Sequence, residues 1–251
     1  MSKPVIALQL YTVRDFAQDD PRGTLQKVKE MGYNAVELAG TYGLAAPEFK
    51  QMLDDVGLTA FSAHAGHNEF ENDMDGTVAA YKTFGCKYLA IPGLGNDKLP
   101  GGPHWPATKE FLQKIAAKCR AAGIVPMYHN HAHEFVKLPG GEYVLDAFFR
   151  ELPEFDAEID SGWVSAAQLC PAEYIKQYAG RCPVLHLNDT IITDGNIVDY
   201  PVGSGSQDMP AIVKAATEGG AACFVVELDA TTGMTSLEAA RQSLEYLKGL
   251  V

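Results

Sequence analysis

The sequence predicts an α/β protein of one domain, residues 1–251, folded as a closed (β/α)8 barrel. Three observations carry this expectation. Eight short β-branched runs alternate with stretches of helical length. The runs are near-continuously apolar, as parallel strands covered on both faces are. Seven of the eight end in an acid, an imidazole or an amide, and barrel chemistry sits at the carboxyl ends of strands. An open doubly wound sheet is the rival, but the Gly-rich turn expected after its first strand is replaced by QLYTVRD (9–15).

The elements follow in order. VIALQL (5–10) brings Gln9, and a helix over 22–31 stops at the glycine of EMGY. AVEL (35–38) brings Glu37, and a helix over 47–56 opens on Pro47, since proline suits a first turn. LTAFSAH (58–64) ends in His64, before a helix over 75–84. YLAIP (88–92) runs into IPGLGN and offers no ligating side chain; its helix, 107–122, stops at the glycine of AAGI. IVPMYHN (124–130) leads into YHNHAHEF (128–135), before a helix over 142–150. FDAEID (155–160) closes on Asp160, and a helix over 171–179 opens on Pro171. PVLHLN (183–188) carries His186 toward Asp189, and a helix over 208–217 has Pro210 in its first turn. CFVVELD (223–229) brings Glu227 and Asp229, before a last helix over 235–248.

Composition narrows the function. A hydrophobic fraction of 47% supports a sizeable core. Thirty-two acids against twenty bases give a charge of −12, a field that repels nucleic-acid phosphates and anionic lipid. Nucleic acid and membrane are therefore excluded as partners, while a neutral sugar or a cation is not. The five cysteines form no C-x-x-C pair and read as buried thiols of a reducing compartment. No leader-like segment opens the chain and no apolar run approaches ~20 residues, so a cytoplasmic protein is expected. The sequence does not choose between a monomer and a homo-oligomer.

The polar strand ends carry the chemistry. Singly, Asp160 is as readily a helix cap as a ligand, and His186 in an apolar strand is usually a satisfied core histidine. Glu227, between FVV and Leu228, is harder to explain, because a buried carboxylate without a partner is costly. Converging acids and imidazoles solve the problem together by holding a divalent cation. The best set is Glu134, Asp160, His186 and Glu227, one from each of the last four strands, spaced 26, 26 and 41 residues apart. Mixed oxygen and nitrogen donors suit manganese, magnesium, cobalt or zinc. Alternation along strand 5 puts Tyr128, Asn130 and Glu134 on one side and the three histidines on the other. The chain leaves the strand near His131, so His129 competes with Glu134 as the strand-5 ligand. VGSGS (202–206) reads as a flexible rim loop.

At this point the chain resembles the xylose-isomerase-like TIM barrel proteins labelled sugar phosphate isomerase/epimerase. The resemblance runs over essentially the whole chain and is carried by ALQLYTVRD, GYNAVELAGTYG, SAH, YHNHAHEF, EIDSGWVSAAQ, LHLND, VGSGSQDMPAI and VVELD. It implies one catalytic divalent ion at the rim, held by Glu134, Asp160, His186 and Glu227. Many relatives have a glutamate where this chain has His129, and close relatives read H-L-K-D where this chain has Asn188. The implied activity is a metal-dependent isomerase or epimerase of a small sugar or keto-sugar. It would abstract an α proton and pass through a metal-stabilised enediolate, with Glu227 and either Glu134 or His129 as the proton-moving groups. Gln9, Glu37, His64, His131 and Trp163 would bind substrate. The related alternative is a lyase or dehydratase of a keto-sugar, keto-glycoside or inosose. A DNA-repair endonuclease fits poorly, because the histidines its extra zinc ions need are missing. A sugar sensor without catalysis is the remaining class.

Overall fold

The computed structural model describes residues 3–193, 196–231 and 233–251. Its strands are β1 (Val5–Gln9), β2 (Ala35–Ala39), β3 (Thr59–His64), β4 (Tyr88–Ile91), β5 (Val125–His129), β6 (Asp156–Asp160), β7 (Val184–Leu187), β8 (Asp189–Thr193), β9 (Asn196–Tyr200) and β10 (Cys223–Val226). All but β8 and β9 close into one parallel barrel, in sequence order around the ring, with β10 returning to β1. The expected TIM barrel is what forms. Each predicted strand is present, and each predicted helix coincides with an observed one to within a few residues, except that the helix expected over 75–84 already begins at His67, with a break at Asp73.

Local chemistry explains the segment boundaries. In the helix Pro21–Met31, the Asp20 side chain accepts from Gly23 N, Pro21 occupies the first turn, and Gly32 ends the helix at φ 104°. A cap of this kind is worth about 1 kcal/mol. Leu25 and Val28 face inward and join a large apolar layer between helices and barrel that includes Leu8, Val36, Phe49, Phe148 and Phe224. A second, smaller cluster lies inside the barrel and holds Ala7, Ala35, Phe61, Ala90, Met127, Val184, Cys223 and Val225. These mostly small side chains fill the lower barrel and form the floor on which the polar residues stand.

One irregularity positions a functional side chain. Val36 pairs with Ala60, but Glu37 pairs with Ser62, so Phe61 is an extra residue in β3. Phe61 already points into the barrel. Regular alternation would then turn Ala63 inward and His64 outward. The shift re-phases the strand, and His64 enters the interior instead.

The segment after β7 differs from expectation. Residues 194–207 read as rim loop, yet β8 and β9 pair as an antiparallel hairpin. Residues 194 and 195 lie outside the described residues. VGSGS is also tied down: Asp189 Oδ2 accepts from Gly203 N and Gly205 N, both at 2.9 Å. Among the described residues, no helix is long and apolar enough to cross a membrane.

Candidate metal centre

Strand register brings the polar residues into layers. Asp160 pairs with His186, and Glu158 pairs with His129. Because side chains repeat every second residue, Glu158 and Asp160 point to the same interior, one layer apart. One atom each from His129, Asp160, His186 and Glu227 lie within 4.8 Å of one another, and so does a deeper group from His64, His129, Glu158 and His186. His186 is the hub, with Nδ1 2.7 Å from Glu227 Oε2 and Nε2 2.6 Å from Glu37 Oε2.

Asp160 is placed for both roles its sequence allowed. Its Oδ1 caps the following helix by accepting from Trp163 N at 2.9 Å, while Oδ2 is buried with no partner. Asn130 Oδ1 accepts from Asp160 N and fixes the strand end. Gly162 lets this turn close: a Cβ there would lie 2.9 Å from Asn188 O. The orphaned Asp160 Oδ2 beside two imidazoles and Glu227 is the chemistry a divalent cation requires, so the donor set fits such an ion.

The charge state without an ion is legible. Burial and the Glu227 charge hold the Asp160 carboxyl well above its ordinary range. Burial and the Glu37 charge push Glu158 up to about 7. Burial alone would raise Glu227 and Glu37, but the charges of His186 and His64 and the hydrogen bond from His186 together outweigh it, and both stay low. Burial would lower His186, yet Glu37, Glu158 and Glu227 together hold it well above the ordinary imidazole value. His129 is driven well below that value by burial and by the other histidines.

The placement corrects several expectations. Glu134 does not join Asp160, His186 and Glu227; it is fully buried in a 3-10 turn, Ala132–Phe135, where Tyr128 Oη donates to Oε1 and His131 N to Oε2. The strand leaves β5 after His129, so the glutamate that sequence spacing favoured turns back on the strand's outer side. His129 takes the strand-5 position. Gln9 and Glu37 are also wholly buried: Glu37 reaches His186, and Gln9 Nε2 donates to Glu37 Oε2 at 2.8 Å. They stand below the cluster and are not among the cavity-lining residues. Glu158 was missed by sequence reading, although its spacing two before Asp160 held the signal.

Above the cluster lies a cavity of ≈ 340 Å³ lined by His64, His129, His131, Trp163, Glu227 and Asp229 among others. His64, His131 and Trp163 therefore stand where substrate contact was expected. A second groove, ≈ 570 Å³, adjoins it through Pro92, His131 and Trp163.

A barrel with ligating groups at the carboxyl ends of its last four strands defines a class, and the comparisons agree. The family model described as xylose isomerase-like TIM barrel matches residues 25–250, and the chain belongs to that family. No curated protein matches it. Among solved structures, it is similar to a sugar phosphate isomerase/epimerase from Parabacteroides distasonis, at 24% identity, TM-score 0.81 and 98% coverage of both chains. It is also similar to the 3-keto-D-glucoside 4-epimerase of E. coli, at 17% identity and TM-score 0.75, over 98% of this chain and 100% of that one. A third neighbour, the IOLI protein with a bound zinc atom, shares 17% identity at TM-score 0.73, over 98% of each chain.

Proposed function

We propose that the protein is a divalent-metal-dependent isomerase or epimerase that relocates a proton next to the carbonyl of a small, unphosphorylated sugar or keto-sugar. The observation that carries this reading is the set His129, Asp160, His186 and Glu227, whose donor atoms converge at the floor of a small polar cavity. These four residues would hold the ion. Bound there, it would supply the Lewis-acid charge that makes a carbon-bound proton α to a carbonyl removable near neutral pH.

The remaining work falls to the chain. Glu227 is ionised and reaches the cavity, so it is competent to accept the proton. His129, neutral and also cavity-lining, would give its one lone pair to the ion, so it serves there as a ligand and not as the second proton-moving group. Burial holds His131 down to about 4, so it is a neutral ring able both to donate to and accept from a sugar hydroxyl. Trp163 offers an apolar face beside it, with ring centroids 5.5 Å apart. Glu134 serves the scaffold and holds the His131 turn. A volume of ≈ 340 Å³ sits at the small end of ligand sites, which span roughly 300–1,000 Å³.

The cavity lining contains no lysine or arginine. Arg14, which touches the lining residues Tyr11 and Asp229, is spent on their backbone carbonyls. A phosphate would meet Glu69, Glu227 and Asp229 with no lysine or arginine in the lining to neutralise it, hence the unphosphorylated substrate.

The adjoining groove supports a second reading. A keto-glycoside could place its sugar in the inner cavity and its other ring beyond Trp163, and loss of that ring after α-proton removal would make the protein a lyase. Incubation with zinc or manganese in D2O and NMR observation of α-proton exchange tests both. Free ketoses, 3-keto-glycosides and inososes are the substrates to offer. Exchange with retention of the glycosidic bond supports the epimerase, exchange with release of the second ring supports the lyase, and exchange in none of them ends both.

A further inference from the structure

Beneath the rim set lies a second group of donors whose arrangement the proposed chemistry does not use. His64 Nε2 is 2.6 Å from Glu158 Oε2, and His129 Nδ1 and His186 Nε2 are each 3.6 Å from that same oxygen. The three imidazole rings pack against one another with centroids 4.6–5.2 Å apart. His129 is 2% exposed and Glu158 wholly buried, yet His129 Nδ1 and Glu158 Oε1 have no hydrogen-bond partner. Buried polar atoms left without a partner cost roughly 1–3 kcal/mol each. Glu37 Oε2, 3.2 Å from His64 Nε2, adds a further negative charge beside the group.

From this geometry we infer a second cation position inside the barrel, one layer below the rim, built by His64, His129, Glu158 and His186. The inference rests on the rim being a metal centre, because two residues are shared. Three imidazoles and one carboxylate, closed off from solvent, make a four-coordinate set suited to zinc or cobalt(II). The rim set, with two carboxylates, is the harder of the two. His129 turns Nδ1 toward Glu158 and Nε2 toward Glu227, the latter at 4.0 Å, and His186 likewise divides its nitrogens between the layers. A neutral imidazole offers one lone pair. The two positions are therefore alternatives for a single ion. Of the lower set, His64 and His129 line the cavity while Glu158 and His186 lie beneath it.

The test removes the rim carboxylates and asks whether zinc stays. In Asp160→Asn/Glu227→Gln, one equivalent of zinc is expected to remain, and cobalt(II) in its place should give the strong visible absorption of a tetrahedral site. Adding Glu158→Gln should abolish that retention. A double variant that keeps the wild-type circular dichroism and unfolding midpoint but binds no zinc overturns the inference and leaves the proposed function standing. If the double variant does not fold, anomalous scattering from zinc-loaded wild-type crystals decides: density against His64 and Glu158 supports the lower position, and density confined to Asp160 and Glu227 overturns it. Wild-type protein that binds no zinc at all overturns this inference and the metal reading together.

Discussion

His186 Nε2 lies 2.6 Å from Glu37 Oε2, although 149 residues separate the two in sequence. Glu37 is in turn held by Gln9. This is a carboxylate fixing the far edge of an imidazole whose near edge faces the rim site, an arrangement that sets ring orientation and raises ligand basicity. Glu37→Gln should therefore weaken zinc binding about 10–100-fold with the fold retained. Calorimetric titration of zinc into the variant measures this. Unchanged metal affinity with a raised KM would return Glu37 to the substrate-binding role first expected of it.

His129 and Glu134 should separate by function. His129→Ala removes a rim donor and should abolish stoichiometric metal binding. Glu134→Ala strands the Tyr128 hydroxyl and the His131 amide, both buried or nearly so, and should cost about 1–3 kcal/mol of stability while metal binding persists. Denaturant unfolding paired with metal analysis distinguishes the two. Metal loss in Glu134→Ala with full retention in His129→Ala would reverse the assignment.

These two residues also show what the sequence could and could not say. Periodicity gave the barrel, because apolar runs and helix punctuation are local signals. The rim residues of β6, β7 and β10 were legible for the same reason: each ends an unambiguous strand. The strand-5 ligand was not, since YHNHAHEF contains the point where β5 gives way to a 3-10 turn, and alternation fails across such a break. His64 was legible as the end of its strand. Its inward direction comes from the register shift at Phe61, which only β2–β3 pairing reveals. Glu158 was passed over because strand-end reasoning looks one layer deep.

Metal affinity should rise with pH. Without an ion, the site keeps protons on Asp160, through burial and the Glu227 charge, and on His186, through Glu37, Glu158 and Glu227 against burial. Both must leave before these groups bind a cation. Their folded values lie above the ordinary ones, so the proton penalty is largest at low pH and fades as pH climbs through them. Below those folded values, apparent zinc affinity should increase on the order of tenfold per pH unit for each proton displaced. Titrations in buffers of different ionisation enthalpy count the protons directly. A flat pH profile would mean that the ion does not engage these two residues.

Gly162 offers a test that leaves every proposed ligand in place. It sits two residues after Asp160, in the helix that Asp160 caps, with its backbone against Asn188. An added Cβ would meet Asn188 Cγ and O at 2.9 Å and its Cβ at 3.0 Å, closer than packed atoms stand. The turn must shift, and overpacking of this kind costs typically about 1–3 kcal/mol. Because the shifted turn carries the Trp163 amide that fixes Asp160 Oδ1, the carboxylate should lose its aim as well. Gly162→Ala is expected to lower both the unfolding free energy and zinc affinity, whereas Gly140→Ala, which meets nothing within 4 Å, should change neither. Zinc affinity unaltered in Gly162→Ala, despite the measured loss of stability, would detach Asp160 from the metal centre.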